Sequence, residues 1–136
     1  MTRPRILIAD DHPALLERVG ALLAAEFEVV AAVGDGQAAL DGAVILRPDA
    51  VVLDMSMPGL SGLQVADRLA ALPVPPRIVF LSIHEDAAFV GAAQGAGASG
   101  YVLKRNIVTD LMPAIHQALA GRVCAASVLP AKGDRP

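Results

Sequence analysis

Four short apolar runs in this chain each end on a polar residue, and those residues are chemically complementary. Arg5-Ile6-Leu7-Ile8-Ala9 leads into Asp10-Asp11, and Asp49-Ala50-Val51-Val52-Leu53 leads into Asp54. Arg77-Ile78-Val79-Phe80-Leu81 leads into Ser82, and Gly100-Tyr101-Val102-Leu103 leads into Lys104. Three carboxylates, a hydroxyl and an ammonium can together hold a divalent cation and a phosphoryl group. The acids supply the oxygen ligands that a hard cation prefers. The ammonium is a point charge suited to a phosphoryl oxygen, and Ser82 can bond such an oxygen without carrying charge. Each residue alone has a plainer reading. Asp10-Asp11 could be a solvated turn or cap before Pro13, Asp54 a loop acid before Pro58-Gly59, Ser82 a polar strand end and Lys104 a solvated cation. Those readings do not explain why four strand ends carry this set.

The elements that must position these residues follow from the apolar pattern. Short β-branched runs bounded by turn signals read as buried parallel strands. Glu28 to Val33 adds a second strand, making five. Between them lie helical patterns. Pro13 suits a first helical turn, and Leu15, Val19, Leu22 and Leu23 then form one apolar stripe. Gly34-Asp35-Gly36 is a turn, followed by a helix over Gln37 to Leu46 that ends at Arg47-Pro48. Ser61 caps a helix from Gly62 to about Ala71. Pro73, Pro75 and Pro76 make a stiff connector. A fourth helix covers Asp86 to Gln94 and closes at Gly95-Ala96-Gly97. Pro113 would break a helix interior, so Asp110 is taken as the cap of the last helix. Pro113 then occupies the third helical position, whose N–H lacks an intrahelical acceptor. Leu111, Ile115, Ala118 and Leu119 then face the sheet. Strand–helix alternation implies right-handed crossovers and a parallel sheet. Ligands of such sheets bind beyond the carboxyl ends of the strands, at the point where strand order reverses.

Composition narrows the class. The 136 residues are 54% hydrophobic and 18% charged, which suits one domain with helices on both faces of a sheet. Net charge is −3 and the pI is about 5.5, with no Lys/Arg cluster, so direct nucleic-acid binding by this chain is not expected. A single cysteine, Cys124, excludes an internal disulfide framework and fits a reducing compartment. Glu26 and Glu28 interrupt the most apolar stretch, no membrane span is expected, and the N-terminus carries no signal-peptide pattern. A cytoplasmic protein is the expectation. Residues 1–121 read as one domain and 122–136 as a C-terminal tail or linker, partly disordered.

Taken in order, Ile8-Ala9-Asp10-Asp11-His12-Pro13, the stretch from Leu53-Asp54-Met55-Ser56-Met57-Pro58 to Gly62, Leu81-Ser82 and Gly97-Ala98-Ser99-Gly100-Tyr101-Val102-Leu103-Lys104 resemble the receiver domain of two-component response regulators. The resemblance covers residues 5 to about 121. From His84 to Lys104 it is most similar to the NarL-type subgroup, whose members usually carry a DNA-binding domain downstream. It implies a CheY-like, flavodoxin-like α/β fold, a doubly wound five-stranded parallel sheet of (βα)5 units in strand order 2-1-3-4-5. It also implies a phosphorylation-activated switch. Asp54 would accept a phosphoryl group from a sensor histidine kinase or a small phosphodonor. The change in shape would regulate an output, transcription if a DNA-binding domain follows. Apart from its own phosphorylation and dephosphorylation, no enzyme activity is expected.

Site roles carry over residue by residue. Asp11 would bind Mg2+ directly (Mn2+ being an alternative ion) and Asp10 through water, with Asp54 and the Ser56 backbone carbonyl completing the protein's share. Lys104 and Ser82 would contact the phosphoryl group. Tyr101 would turn inward when Ser82 moves toward the phosphate; otherwise it is an amphipathic ring at a sheet edge. In a strand, its offset from Lys104 places the two on opposite faces. Ser56 and His84 are candidate modulators of dephosphorylation, and His84 could equally be a solvated loop residue. His12 and His116 read as ordinary surface residues. The loop after Ser82 and the fourth helix are the candidate moving parts, because Gly91 inside that helix costs roughly 1 kcal/mol relative to Ala. A phosphorylation-dependent homodimer through the last helix is a further expectation.

Two other classes fit less well. A haloacid-dehalogenase-like phosphotransferase or phosphatase would want a second acid where Ser56 stands. A doubly wound nucleotide- or flavin-binding module would want a Gly-rich loop where Asp10-Asp11-His12-Pro13 stands.

Overall fold

The computed structural model describes residues 2–121, so the expected tail or linker at 122–136 lies outside the described residues. The elements alternate as β1 (Arg5–Ala9), α1 (Pro13–Leu23), β2 (Glu28–Val33), α2 (Gly36–Leu46), β3 (Ala50–Asp54), α3 (Gly62–Ala70), β4 (Arg77–Ser82), α4 (Ala87–Gly95), β5 (Gly100–Leu103) and α5 (Ile107–Leu119). The sheet order is β2-β1-β3-β4-β5, every pair parallel, as the resemblance implied.

Strand alternation divides the core in two. Ile6, Ile8, Val52, Leu81 and Val102 face one side and pack with Val19 and Leu23 of α1 and Leu111 and Ile115 of α5. Leu7, Leu53, Phe80, Tyr101 and Leu103 face the other side, with Ala39, Val65, Leu69 and Val90 from α2, α3 and α4. Both faces are covered, so β3 is buried along its whole length.

Register brings the polar strand ends together. Ala9 pairs with Leu53, Asp54 with Leu81, and Ser82 with Leu103. One residue further along β1, Asp10 comes level with Asp54, and Lys104 follows directly on Leu103. All of them meet at the C-terminal rim. Gly62 holds the end of β3 close to the start of α3. A Cβ there would lie 2.2 Å from the Asp54 carbonyl oxygen. Ser61 and Gln64 form a reciprocal capping box at the same junction.

The start of α5 corrects the sequence reading. The helix begins at Ile107 with Asn106 at its cap, so Asp110 lies in its first turn and Pro113 in its interior. A 3-10 turn over Lys104–Asn106 runs directly from β5 into the helix and starts it early. Ile107 is buried by this arrangement, whereas Pro113 is exposed. Core burial outweighs the local cost of the proline, which falls where water can reach the freed carbonyl. Leu111, Ile115 and Ala118 are buried as expected, joined by Ala114, with Leu119 packed at the margin.

Candidate functional site

The rim beyond β1, β3 and β5 holds the expected acids and amine in contact. Asp10 and Asp54 are buried at 2% and 3% exposure, and Ser82 at 2%. Lys104 opens the 3-10 turn, and its Nζ reaches back to lie 3.0 Å from Asp10 Oδ2 and 3.3 Å from Asp54 Oδ2. The Ser56 N–H donates to Asp54 Oδ1 at 3.2 Å, and the His12 N–H donates to Asp10 Oδ1 at 2.9 Å. These backbone donors fix the carboxylate orientations. Asp11 is the solvent-facing member of the pair.

Charge is unbalanced at the site, with three acids against one lysine. Burial raises the Asp54 carboxyl above its ordinary value, and Asp10 raises it further. Lys104 and the Ser56 N–H pull it down without offsetting the rise. Burial works against the charge on Lys104, but its contacts with Asp10 and Asp54 prevail and push its pKa up. The ammonium is therefore stabilised in its charged form, while ionisation of Asp54 is disfavoured. Asp10 Oδ2 is closed to solvent and is met by the Lys104 ammonium at 3.0 Å.

This donor set fits a cation. One ligand atom each from Asp10, Asp11, His12 and Asp54 lie within 4.8 Å of one another. A hard divalent ion would compensate the surplus negative charge and the buried Asp10 oxygen. His12 is the member that sequence reasoning passed over. Its Nδ1 lies 3.0 Å from Asp10 Oδ1 and 3.1 Å from Asp11 Oδ1. The available signal was its place directly after the acid pair and before Pro13, at a helix cap where Ser, Thr, Asp or Asn would normally bond the helix. His12 makes no such bond.

Ser82, Tyr101 and His84 form a second group beside the acids. The Ser82 Oγ accepts from the His84 N–H at 2.9 Å. The Tyr101 hydroxyl donates to the His84 carbonyl at 2.6 Å and also hydrogen-bonds Ser82. Burial raises the Tyr101 phenol above its ordinary value despite the Ser82 bond. Tyr101 stands on the edge strand β5, but its ring is fully buried with the hydroxyl bonded inside. The alternation argument that set it opposite Lys104 does not apply, because Lys104 has left the strand. The His84 ring stacks on Phe89 of α4, with centroids 3.8 Å apart and planes at 6°, so it is engaged by the helix rather than simply solvated. On α5, His116 contacts Glu26 and tilts against Phe27 at 4.9 Å, tying that helix to the α1–β2 turn.

A family model for the response regulator receiver domain matches residues 6–116. The chain belongs to the response regulator receiver domain family. The nitrate/nitrite response regulator protein NarL of Escherichia coli K12 is 37% identical over 126 residues, covering 91% of this chain and 58% of that protein. The receiver thus spans under three fifths of that relative's length. Among solved structures, the signal receiver domain of a NarL response regulator from Mycobacterium tuberculosis superposes with a TM-score of 0.85 at 34% identity, covering 90% of this chain and all of the other. A two-component response regulator of the LuxR family from Aurantimonas sp. SI85-9A1 gives 0.86 at 33% identity, covering 92% and 91%. The receiver is of the NarL type, with the CheY-like flavodoxin fold. Among its described residues no helix is long and apolar enough to cross a membrane.

Proposed function

We propose that this receiver is switched by transfer of a phosphoryl group to Asp54. One observation carries the reading: Asp54 is buried between Asp10 and Lys104, with its carboxyl pushed up by burial and by Asp10. An oxygen of the Asp54 carboxylate attacks phosphorus in line. The new O–P bond forms as the bond from phosphorus to the donor breaks, and the donor group leaves with the bonding pair. The donor is the phosphohistidine of a sensor histidine kinase or a small acyl phosphate. Lys104 is already within ion-pair reach of Asp54 and turns to a phosphoryl oxygen as charge develops. Asp10 and Asp11, with Asp54 and the Ser56 carbonyl, would hold Mg2+ (Mn2+ serving equally in principle), which supplies positive charge to bring two anions together. Water attack on the acyl phosphate later returns Asp54 and inorganic phosphate, with Ser56 and His84 placed to modulate access.

Signal output follows from Ser82. Its Oγ now accepts from the His84 N–H, and a phosphoryl oxygen on Asp54 would accept the Ser82 O–H and draw the side chain toward the phosphate. Moving Ser82 disturbs His84, and through it Tyr101 and the Phe89 stack on α4. A population shift requires such a differential contact. Only Val90 and Ala93 are buried in α4, and a side chain added at Gly91 would meet open space, so this helix can move at small cost. Because the curated relatives are longer, control of transcription through a following DNA-binding domain is the proposed output. A phosphorylation-dependent pairing through α5, where His116 and Gln117 are exposed, is proposed as the partner contact. The acidic balance argues against DNA binding by this chain itself, and the single Cys124 fits a reducing, cytoplasmic setting.

Incubation with Mg2+ and acetyl phosphate, read by intact mass, should show one added phosphate in wild type and none in Asp54→Asn. Equal labelling of the variant refutes the assignment.

A further inference from the structure

Resting on the metal-site reading above, we propose that His12 Nδ1 is an additional metal donor, which shifts the site's preference from Mg2+ toward a first-row transition ion. Three observations carry this. His12 sits at the cap of α1, yet its side chain makes no bond to the helix and turns back to the acids. Its Nδ1 stands 3.0 Å from Asp10 Oδ1 and 3.1 Å from Asp11 Oδ1. Adjacent ligands of an octahedral ion with bonds of about 2.1 Å are about 3.0 Å apart, so this nitrogen stands where a neighbouring vertex would be. Finally, the same residue shares a cluster of donor atoms, all within 4.8 Å of one another, with Asp54.

Donor chemistry supplies the consequence. Mg2+ takes oxygen ligands almost exclusively and holds its waters tightly. An imidazole nitrogen adds little for it and suits Fe2+, Ni2+, Cu2+ and Zn2+, with Mn2+ lowest in the affinity order of the first-row ions. An acid-only rim would separate these ions weakly, whereas an acid rim with one nitrogen separates them in favour of the transition ion. His12 is largely exposed, at 68% for its side chain, so it can swing onto a bound ion without disturbing the core.

Mn2+ is the probe, because pulsed electron paramagnetic resonance reports a coordinated imidazole nitrogen directly. Wild type, His12→Ala, His12→Gln and a His116→Ala control are titrated with Mn2+ and with Mg2+ by calorimetry, at one pH above the imidazole range. Wild type should show nitrogen coupling, lost in both His12 variants and kept in His116→Ala. His12→Ala should weaken Mn2+ more than Mg2+. Mn2+ bound without nitrogen coupling, with affinity unchanged in His12→Ala, overturns the role of His12 and leaves the acid site standing. Neither ion binding to wild type overturns the metal site and the His12 proposal together.

Discussion

Replacing Asp54 by Asn should make the metal-free protein more stable, although it removes an ion-pair partner of Lys104. The acid oxygens lie within 4.8 Å of one another. That distance is an upper limit, so repulsion between Asp54 and Asp10 is at least about 3.5 kcal/mol at an effective dielectric of about 20. Attraction to Lys104 at 3.3 Å is about 5 kcal/mol on the same scale. Charge pairing alone therefore favours an ionised Asp54 by at most about 1.5 kcal/mol, and a shorter Asp54–Asp10 separation removes that margin. Removing a carboxylate from water costs several kcal/mol, and Asp54 is 3% exposed. The balance is unfavourable, in keeping with the raised carboxyl. An amide keeps the shape, leaves Lys104 paired with Asp10 and removes this cost, so the expected gain is about 1–3 kcal/mol at neutral pH. The pH dependence has a definite sign. A carboxyl whose folded pKa exceeds its unfolded value binds more protons when folded, so its contribution to stability falls as pH rises through that interval. The advantage of the variant should grow as pH rises through the raised pKa and should shrink as pH falls toward the unfolded carboxylate value. Urea unfolding of both proteins in chelator, at neutral pH and at about pH 5, measures it. Added Mg2+ should raise wild type more than the variant, because the ion binds the folded acids. A variant that is equally or less stable than wild type in chelator would refute the argument that burial and Asp10 strain Asp54.

Gly62→Ala should destabilise the fold by about 2–4 kcal/mol and weaken the site, because its Cβ would meet the Asp54 carbonyl oxygen at 2.2 Å; chemical denaturation measures the loss, and a neutral result would mean the α3 junction is loose. Tyr101→Phe should cost about 1 kcal/mol through the lost bond to the His84 carbonyl. Its amide spectrum on adding beryllofluoride should show smaller shifts in α4 than wild type, and an undiminished response there would separate Tyr101 from the switch. Pro113→Ala should stabilise by about 1–3 kcal/mol, since the exposed proline interrupts α5; an unchanged denaturation midpoint would place its cost elsewhere. Lys104→Ala should slow acyl-phosphate labelling of Asp54 by about 100-fold or more, read as the rate of mass gain, and an unchanged rate would remove Lys104 from the chemistry.

Most of the sheet and most of the site were legible before any coordinates. Strand runs such as Ala50–Leu53 are buried on both faces, so they read as uninterrupted apolar segments, and their polar ends mark the rim. Asp54 and Asp10-Asp11 stood out because each follows such a run directly, and backbone geometry leaves their side chains few places to go. Ser61 announced α3, because capping is a contact between residues near in sequence, and Gln64 completes the box in the structure. Packing and long-range contact decided what remained. The start of α5 moved to Ile107 because burial of that side chain outweighed the local objection raised by Pro113. Tyr101 became a fully buried ring because its hydroxyl finds the carbonyl of His84 seventeen positions away. The role open to His12 likewise depended on tertiary structure. Only register places Asp10 level with Asp54, and only then does an exposed imidazole become a fourth donor beside three acids.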